Sequence, residues 1–435
     1  MPIRIIEEQV IEAQVRDSRP TVVTAPRIAC YSHDTVGLGH TRRNIAVAAA
    51  MIGSWPAADA MLLTGNPEAT SLWLPPRTDV VTLPTVAKDS AGRYRSRTLN
   101  ASLDSVLQMR SAVIEAAMTS FAPDLLIVDK VPLGVAGELL STLRRLRSEF
   151  DTTIVLGLRE ILDDPATAAA EWVRSGATTA IEQFFDAIWI YGDRRVYDPI
   201  SEYGLPARVA ERCVFTGYLA ADRFADGRET PAPISATDRI GTTGRPYVLC
   251  TVGGGQDGGE LAQAFARAPL PSGHDGIVVC GPFMAPDDRA AVHAGARGNP
   301  QLSVLDFVPD LHRLVANAAA VVSMAGYNSV CEVLAGDCRA LLVPRTRPRA
   351  EQLVRAQRLA ELGAADMLTP DRLSPTALAD WLATATAYDP DAATATRAAR
   401  ATLDLDGLRR VPVIARRLLD QPRRPGRSGV DHRAA

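Results

Sequence analysis

The sequence lacks several features that mark whole classes of protein. Only two of its 47 basic residues are lysine, aromatic residues make up 5%, and the net charge is −3. Proteins that bind nucleic acid through its phosphates need a basic surplus or a basic face, so we expect no nucleic-acid partner. No run of about 18 apolar residues occurs, and three glutamates stand where a signal peptide would be apolar. These absences predict a cytoplasmic protein without a membrane-spanning helix.

Cysteine usage argues against a metal centre. The six cysteines form no C-x-x-C pair and have no histidine at zinc-ligand spacing. Four of them lie in or beside apolar, strand-like runs, which is typical of buried thiols in a reducing compartment. We therefore predict no metal site and no bound cofactor.

Short apolar runs alternate with amphipathic segments along most of the chain. The runs lie at 27–33, 59–65, 78–84, 123–129, 152–159, 185–192, 245–255, 276–281, 302–309, 319–326 and 339–344. Most are continuously apolar, as strands of a buried parallel sheet are. The helix-like stretches between them include 41–52, 103–119, 133–148, 257–267 and 328–336. This order occurs twice and predicts an α/β protein of two facing, doubly wound parallel-sheet domains with a cleft between them.

Composition sets the expected boundaries. We expect an N-terminal extension at 1–26, a first domain at 27–216, a linker at 217–245, a second domain at 246–420 and a disordered tail at 421–435. Whether the last helices cross back to pack on the first domain stays open. Ligands of such sheets bind beyond the carboxyl ends of the strands, so site residues are expected in the strand-to-helix turns.

The first such turn is G-L-G-H at 37–40. Gly37 and Gly39 allow close backbone approach, and the helix that follows presents unpaired N–H groups. Arg42 stands where a dinucleotide-binding G-x-G-x-x-G loop has its third glycine, so the turn departs from that pattern. We interpret these three residues as a substrate-facing loop.

A candidate general base lies in the same turn. His40 is placed at a helix start, where it stays neutral and can accept a proton. Asp34, in the same loop, is an alternative base. Asp129 ends another predicted strand and is a second alternative, or the residue that orients His40.

The second turn, G-G-G-Q-D-G-G at 253–259, follows a predicted strand. Gly253, Gly254 and Gly255 cost backbone entropy unless the main chain approaches a ligand closely. The loop lacks the Lys-Ser/Thr of a P-loop, so hydrolysis of a nucleoside triphosphate is disfavoured. With Gln256, it is a candidate phosphate or sugar loop.

The third turn is the most specific. Gly326 precedes a helix at whose start Asn328 and Ser329 could donate to phosphate oxygens. Glu332 shares their helix face and could accept from two ribose hydroxyls. Each residue taken alone also fits a plain helix cap or a solvated surface. The ordered set favours a nucleotide site.

A polar pair follows the next predicted strand. Glu351 and Gln352 come after the loop R-T-R-P-R-A and start another helix. Carboxylate and amide groups suit sugar hydroxyls, so the pair is a candidate sugar site.

The block G-Y-N-S-x-x-E, then V-P, then E-Q resembles the donor signature of GT-B glycosyltransferases of family 1. The layout of glycine-rich loops also resembles family 28, which includes the bacterial enzyme that adds N-acetylglucosamine to a lipid-linked cell-wall precursor. The resemblance covers about residues 27–420 and is strongest in 302–352.

The resemblance implies a bacterial, metal-independent, inverting hexosyltransferase that uses a UDP-sugar. Gly326, Asn328 and Ser329 would hold the diphosphate, and Glu332 the ribose. Backbone near Phe307 and Val308 would meet the uracil. In the other turns, the glycine loop would cover phosphate and sugar, Glu351 and Gln352 would hold the sugar, and His40 would lie near the acceptor hydroxyl.

The sequence departs from the family pattern at a position that would contact the diphosphate. Met324 replaces a phosphate-binding histidine, so Arg345, Arg347 or Arg349 would supply positive charge. The acceptor stays open between a lipid, a glycan precursor and a natural product. A UDP-sugar epimerase or hydrolase, or a non-catalytic binder, is the alternative function.

Peripheral contact with the inner face of a membrane also stays open. Leu72, Trp73 and Trp172 could form an apolar patch, although ordinary core packing explains them equally well.

Overall fold

The computed structural model describes residues 25–33, 37–88, 93–220, 244–308, 311–387 and 389–421. Most of the expected extension, linker and tail, together with Asp34, lies outside these residues. The described strands are β1 (Arg27–Ser32), β2 (Asp59–Thr64), β3 (Thr78–Thr82), β4 (Val86–Lys88), β5 (Tyr94–Ser96), β6 (Leu125–Asp129), β7 (Thr153–Arg159), β8 (Ala187–Tyr191), β9 (Cys213–Phe215), β10 (Tyr247–Thr251), β11 (Asp275–Val279), β12 (Leu302–Leu305), β13 (Ala320–Ser323), β14 (Arg339–Leu342) and β15 (Asp366–Met367).

The helices lie between these strands. They are α1 (Gly39–Ser54), α2 (Leu103–Phe121), α3 (Leu140–Glu149), α4 (Pro165–Ser175), α5 (Ala177–Phe184), α6 (Pro199–Glu202), α7 (Ala207–Ala210), α8 (Gly259–Ala266), α9 (Pro286–Ala296), α10 (Leu311–Asn317), α11 (Tyr327–Leu334), α12 (Glu351–Glu361), α13 (Pro375–Thr386), α14 (Pro390–Ala401) and α15 (Gly407–Leu419).

Two parallel sheets organise the chain, as the sequence predicts. The N-terminal sheet has the order β3-β2-β1-β6-β7-β8-β9, and the C-terminal sheet has the order β12-β11-β10-β13-β14-β15. Both orders reverse direction at a central strand, β1 in the first and β10 in the second. Ligands of doubly wound sheets bind at such switch points, beyond the carboxyl ends of the strands. The loops that follow β1 and β10 are the two glycine-containing turns identified in the sequence.

The central strands are buried on both faces because helices cover each side. Every residue of β6 and β8 is buried, and β7 is buried from Ile154 to Leu158. This burial explains why the runs are continuously apolar rather than alternating.

The C-terminal helix returns to the N-terminal sheet. α15 packs on α1, where Val411, Ile414 and Ala415 join the same buried cluster as Val47 and Met51. Its arginines lie on the opposite side, so the helix is strongly amphipathic. The chain therefore crosses between the two sheets twice.

Four short elements differ from the predicted pattern. β9 and β15 are edge strands of three and two residues, and β4 and β5 form an antiparallel hairpin. Such short edges bury little apolar surface and leave a weak sequence signal. The stretch predicted as helix at 133–148 begins with a 3-10 turn, Val135–Gly137, and becomes α-helical only at Leu140.

All six cysteines lie in the described part of the chain and are free, and four are buried. Burial raises the pKa of Cys30 to about 12, so this thiol is unreactive at neutral pH. No described helix is long and apolar enough to cross a bilayer.

Candidate active site between the two sheets

A cavity of about 260 Å³ lies where the carboxyl ends of both sheets face each other. Its walls come from the turns after β1, β10, β11, β12, β13 and β14 and from the last residue of β7. The turns after β1, β10, β13 and β14 are the ones that carry the sequence motifs.

Three helices begin at the cavity without a side-chain cap. The residues that precede them are Leu38 for α1, Gly326 for α11 and Ala350 for α12. Helices that start away from the cavity are of both kinds: Ser102 caps α2, whereas α3 and α9 also lack a side-chain cap. Uncapped first turns carry partial positive charge and N–H groups that can bind an anion. The cavity is therefore suited to a phosphate-containing ligand.

His40 lines the cavity and contacts a buried carboxylate. Its Nδ1 lies 3.1 Å from Oδ2 of Asp129, at the end of β6. Arg43, one turn further along α1, donates to Oδ1 of Asp129 at 2.7 Å. Burial alone would raise the pKa of Asp129, but the charge of Arg43 and the contact with His40 hold that pKa well below its usual range. Asp129 therefore stays ionised and positions His40 rather than facing the ligand itself.

The contacts of Nδ1 fit two tautomers of His40. Without a proton, Nδ1 accepts from Nη2 of Arg43 at 2.8 Å; with one, it donates to the Asp129 carboxylate at 3.1 Å. The second tautomer leaves a lone pair on Nε2, which a general base needs.

The start of α11 joins the two halves of the site. Gly326, Asn328 and Ser329 line the cavity, and Nδ2 of Asn328 donates to the carbonyl of Gly39 at 2.9 Å. Tyr327 lies behind them, stacked on Tyr218 at a ring distance of 6.0 Å. The first and third motifs of the sequence thus meet at one point.

Glu332 lies differently from the other residues of its motif. It is buried and does not line the cavity, and its Oε1 accepts from Nη2 of Arg42 at 3.1 Å. Its second oxygen, Oε2, is buried without a hydrogen-bond partner. Arg42, predicted in the substrate-facing loop, lines the cavity beside this pair. In this structure Glu332 thus contacts Arg42 rather than the cavity.

The sugar pair lines the cavity at the start of α12. Glu351 is buried and its Oε1 accepts from Nη2 of Arg345 at 2.6 Å, whereas its Oε2 is buried without a partner. Gln352 lies beside it, and its Oε1 accepts from the backbone N–H of Arg345 at 3.4 Å. A buried carboxylate oxygen without a donor fits the hydroxyl of a bound sugar.

The glycine loop after β10 forms another wall. Gly253, Gly254, Gly255 and Gln256 all line the cavity. Gly255 has a φ of +89°, and a Cβ there would collide with the carbonyl of Cys280. The close approach of two backbone segments, rather than flexibility, thus explains glycine at this position.

An apolar end completes the cavity. Phe307 and Val308 line it, and Phe307 is exposed. Met324 lies in the wall as well. Gly37 and Gly39 close the opposite side, where the side-chain amide of Asn66 donates to the carbonyl of Gly37. Flat apolar surface of this kind accommodates a base or sugar ring.

Of the three arginines expected to supply charge, one lines the cavity. Arg345 does so, and its guanidinium also contacts Asp257 at 3.3 Å. Arg347 is exposed outside the cavity. Arg349 donates to Glu171 at 2.9 Å and joins α12 to α4 of the N-terminal half.

Two cations in this region were not predicted. Arg159 ends β7 and lines the cavity, and Lys130 follows the end of β6. Burial, followed by the charges of Arg159 and Arg349, lowers the pKa of Lys130 to about 7. Their position directly at or after a predicted strand end is the signal that could have identified them.

Comparison with known proteins agrees with this geometry. Residues 277–410 match the sequence model of the glycosyltransferase family 28 C-terminal domain. A UDP-N-acetylglucosamine–N-acetylmuramyl-(pentapeptide) pyrophosphoryl-undecaprenol N-acetylglucosamine transferase of Ralstonia nicotianae is 31% identical over 195 residues. The alignment covers 41% of this chain and 52% of the relative, so the chain spans about half the length of that protein.

Solved structures with a similar fold include glycosyltransferases. MurG of Acinetobacter baumannii is 17% identical with a TM-score of 0.53, and the comparison covers 90% of this chain and 99% of that one. A UDP-glucosyltransferase from Polygonum tinctorium is 13% identical with a TM-score of 0.59, with 91% and 99% covered. These likenesses confirm the predicted fold class. The chain therefore has the two-domain GT-B fold, and its residues 277–410 are similar to the C-terminal domain of glycosyltransferase family 28.

Proposed function

We propose that the protein is an inverting, metal-independent glycosyltransferase that moves a hexosyl group from a UDP-sugar to an acceptor hydroxyl. The observation that carries the proposal is a single cavity that combines three uncapped helix starts with a histidine–carboxylate pair and a buried, unpartnered carboxylate oxygen of Glu351. Diphosphate, sugar and acceptor each find complementary groups there.

The donor would lie along the C-terminal wall. Its diphosphate would meet the N–H groups at the start of α11, together with Asn328 and Ser329. Its base would lie against Phe307 and Val308, and its sugar against Glu351 and Gln352. The family 28 match and the cavity lining support this placement. The activity of the Ralstonia relative makes N-acetylglucosamine our first choice of sugar.

The N-terminal wall would supply the base. Nε2 of His40 would accept the proton of the acceptor hydroxyl as its oxygen attacks the anomeric carbon. Asp129, hydrogen-bonded to Nδ1, would stabilise the imidazolium that forms. The bond from the anomeric carbon to the diphosphate breaks in the same step, with inversion.

The leaving diphosphate would be stabilised by fixed positive charge. The helix starts and Arg345 are already oriented, so little reorganisation is needed as negative charge develops. Among the described residues, no three His, Cys, Asp or Glu side chains are grouped to hold a metal ion.

The expected boundaries at 1–26, 27–216, 217–245, 246–420 and 421–435 stay part of the proposal, as does peripheral membrane contact. Leu72 and Trp172 each pack against a hydrophobic core, which leaves Trp73, 48% exposed, as the main exposed member of the suggested patch. A lipid-linked acceptor agrees with the pyrophosphoryl-undecaprenol substrate of the Ralstonia relative.

The test is donor binding by calorimetry in EDTA. UDP, UDP-N-acetylglucosamine, UDP-glucose, GDP-mannose and NAD are titrated into wild type, Ser329→Ala and Glu351→Gln, with the exposed Ser201→Ala as control. We expect selective binding of uridine diphosphates. Ser329→Ala should weaken UDP and UDP-sugars equally, whereas Glu351→Gln should weaken only the UDP-sugars.

Binding of NAD alone, or of none of the five ligands, would contradict the proposal. Conversion of UDP-N-acetylglucosamine by the protein alone, without an acceptor, would favour the epimerase or hydrolase instead. Equal effects of Ser201→Ala and Ser329→Ala would remove the diphosphate assignment.

A further inference from the structure

Four arginines line the cavity, and three of them are neutralised by carboxylates. Arg42 contacts Glu332 at 3.1 Å, Arg43 contacts Asp129, and Arg345 contacts Glu351 at 2.6 Å. Arg159 is the exception, since no carboxylate of the described residues lies within ion-pair distance of it and its Nε is buried without a hydrogen-bond partner. Among the described residues, Arg159 is therefore the one guanidinium of the cavity without an ion-pair partner.

Two acids that follow Arg159 in the chain, Glu160 and Asp163, already have hydrogen-bond partners. Glu160 is fully buried and binds Arg355, with Nε to Oε1 at 2.6 Å. Asp163 accepts from the backbone N–H of Ala350 at 2.8 Å and from Arg349 at 3.3 Å. These carboxylates cannot turn to Arg159 without breaking contacts that join the two halves of the protein.

Lys130 is a second basic residue beside Arg159. It follows β6, the strand that pairs with β7 in register Asp129↔Gly157. It has a φ of +68°, which is uncommon for a residue with a side chain. Burial, followed by the charge of Arg159, lowers its pKa to about 7, so Lys130 is only partly charged at neutral pH and Arg159 is the main cation at the carboxyl ends of β6 and β7.

The position of Arg159 favours the acceptor over the donor. Arg159 ends β7 of the N-terminal sheet and lines the same cavity as His40, whereas the proposed donor residues lie on the C-terminal wall. Burial lowers the pKa of Arg159 to about 10, and the strongest opposing influence is the Glu351 carboxylate. An acceptor deprotonated by His40 would lie along the N-terminal wall, where Arg159 is.

We propose that Arg159 binds a negatively charged group of the acceptor, a phosphate or a carboxylate, and that the acceptor is therefore an anion. This inference rests on the proposed glycosyl transfer. A guanidinium binds either group through two parallel N–H···O bonds, which fixes orientation as well as position. Neutral acceptors would leave the charge of Arg159 uncompensated when the domains exclude water from the cavity.

The experiment uses inorganic phosphate as the probe. Full-length protein is saturated with UDP, which fills the donor's diphosphate position, and phosphate is then titrated by calorimetry in a chloride buffer. Arg159→Gln and Arg159→Met are compared with Arg144→Gln, which removes the same charge from an exposed position on α3. Using two substitutions guards against a folding defect in one of them, and thermal melting checks both.

We expect the UDP-bound wild type and Arg144→Gln to bind phosphate alike. Both Arg159 variants should bind it at least about tenfold more weakly, as expected for loss of a charge-assisted hydrogen-bond pair. The affinity for UDP should stay unchanged in all four proteins. Unchanged phosphate affinity in the Arg159 variants, or no phosphate binding by the UDP-bound wild type, would overturn the proposal.

A different pattern would reassign the residue. If the Arg159 variants lose affinity for UDP but keep it for phosphate, Arg159 serves the donor diphosphate and the acceptor inference is wrong. Failure of the wild type to bind UDP at all would contradict the proposed function itself, which the first titration reveals separately.

Discussion

The buried ion pair between Glu160 and Arg355 joins the two halves of the protein beside the active site. Both side chains are fully buried, with contacts of 2.6 Å and 3.2 Å, and Tyr218 donates to the same carboxylate at 2.9 Å. Although burial lowers the pKa of Arg355, the Glu160 charge outweighs it and the pKa is raised. The guanidinium therefore stays charged at every pH at which the protein is folded.

Replacing Glu160 by Gln leaves this buried charge without a counter-ion. Removal of one partner of a buried pair costs about 3–5 kcal/mol, because an unpaired charge in a low dielectric is much less stable than in water. Replacing both residues, as Glu160→Gln with Arg355→Met, removes the charge as well. We expect the double variant to be more stable than Glu160→Gln.

The assay is urea denaturation followed by tryptophan fluorescence, with the m-value checked for each variant. Glu149→Gln is the matched control, because Glu149 pairs with Arg145 on an exposed helix surface at 2.9 Å. Exposed pairs of this kind contribute about 0.5 kcal/mol or less. A cost below about 1 kcal/mol for Glu160→Gln, or strictly additive effects in the double variant, would refute the argument that the pair is coupled and buried.

Three further predictions concern the site. His40→Ala and Asp129→Asn should each lower kcat by about 10²–10⁴-fold without changing the affinity for UDP. The reason is that a general base and its orienting carboxylate act on the acceptor only. A parallel loss of UDP affinity in calorimetry would contradict this role. Gly255→Ala should weaken UDP binding and lower the Tm. Gly254→Ala should keep the Tm of the wild type, because its added Cβ would make only an ordinary contact of 3.5 Å to the Phe283 side chain. Equal melting curves of the two variants would show that close packing of the loop does not matter. The pKa of Lys130 is about 7 in the folded protein and about 10.4 in the unfolded chain, so between these values the unfolded chain binds more protons and this residue makes the free energy of unfolding rise with pH. Lys130→Met should remove that rise in denaturation curves recorded from pH 7 to 10, and an unchanged slope would argue against the burial of the ammonium group.

Much of the site could be predicted from the sequence because parallel sheets place their strand ends at one edge. His40, Asn328, Ser329, Glu351 and Gln352 were assigned from their position after apolar runs, and all five line the cavity. Their roles stay predictions. The hydrophobic periodicity of the sequence does not predict which side chains contact each other, since contacting residues come from distant parts of the chain.

Glu332 illustrates this limit. Its spacing from Ser329 on the helix is a local property, and it correctly places Glu332 on α11. Its contact with Arg42 joins residues 290 positions apart and depends on how the two sheets are placed. No local pattern contains that information.

By itself, the sequence determined the fold class and predicted where a site would lie. Continuous apolar runs bounded by glycine and charge are typical of parallel strands covered by helices, and that topology fixes where the turns meet. Only the tertiary structure decided which charges are paired. In the described part of the chain, Arg42, Arg43 and Arg345 each contact a carboxylate and Arg159 does not, because ion pairing depends on distances of a few ångströms between segments that the chain brings together only on folding.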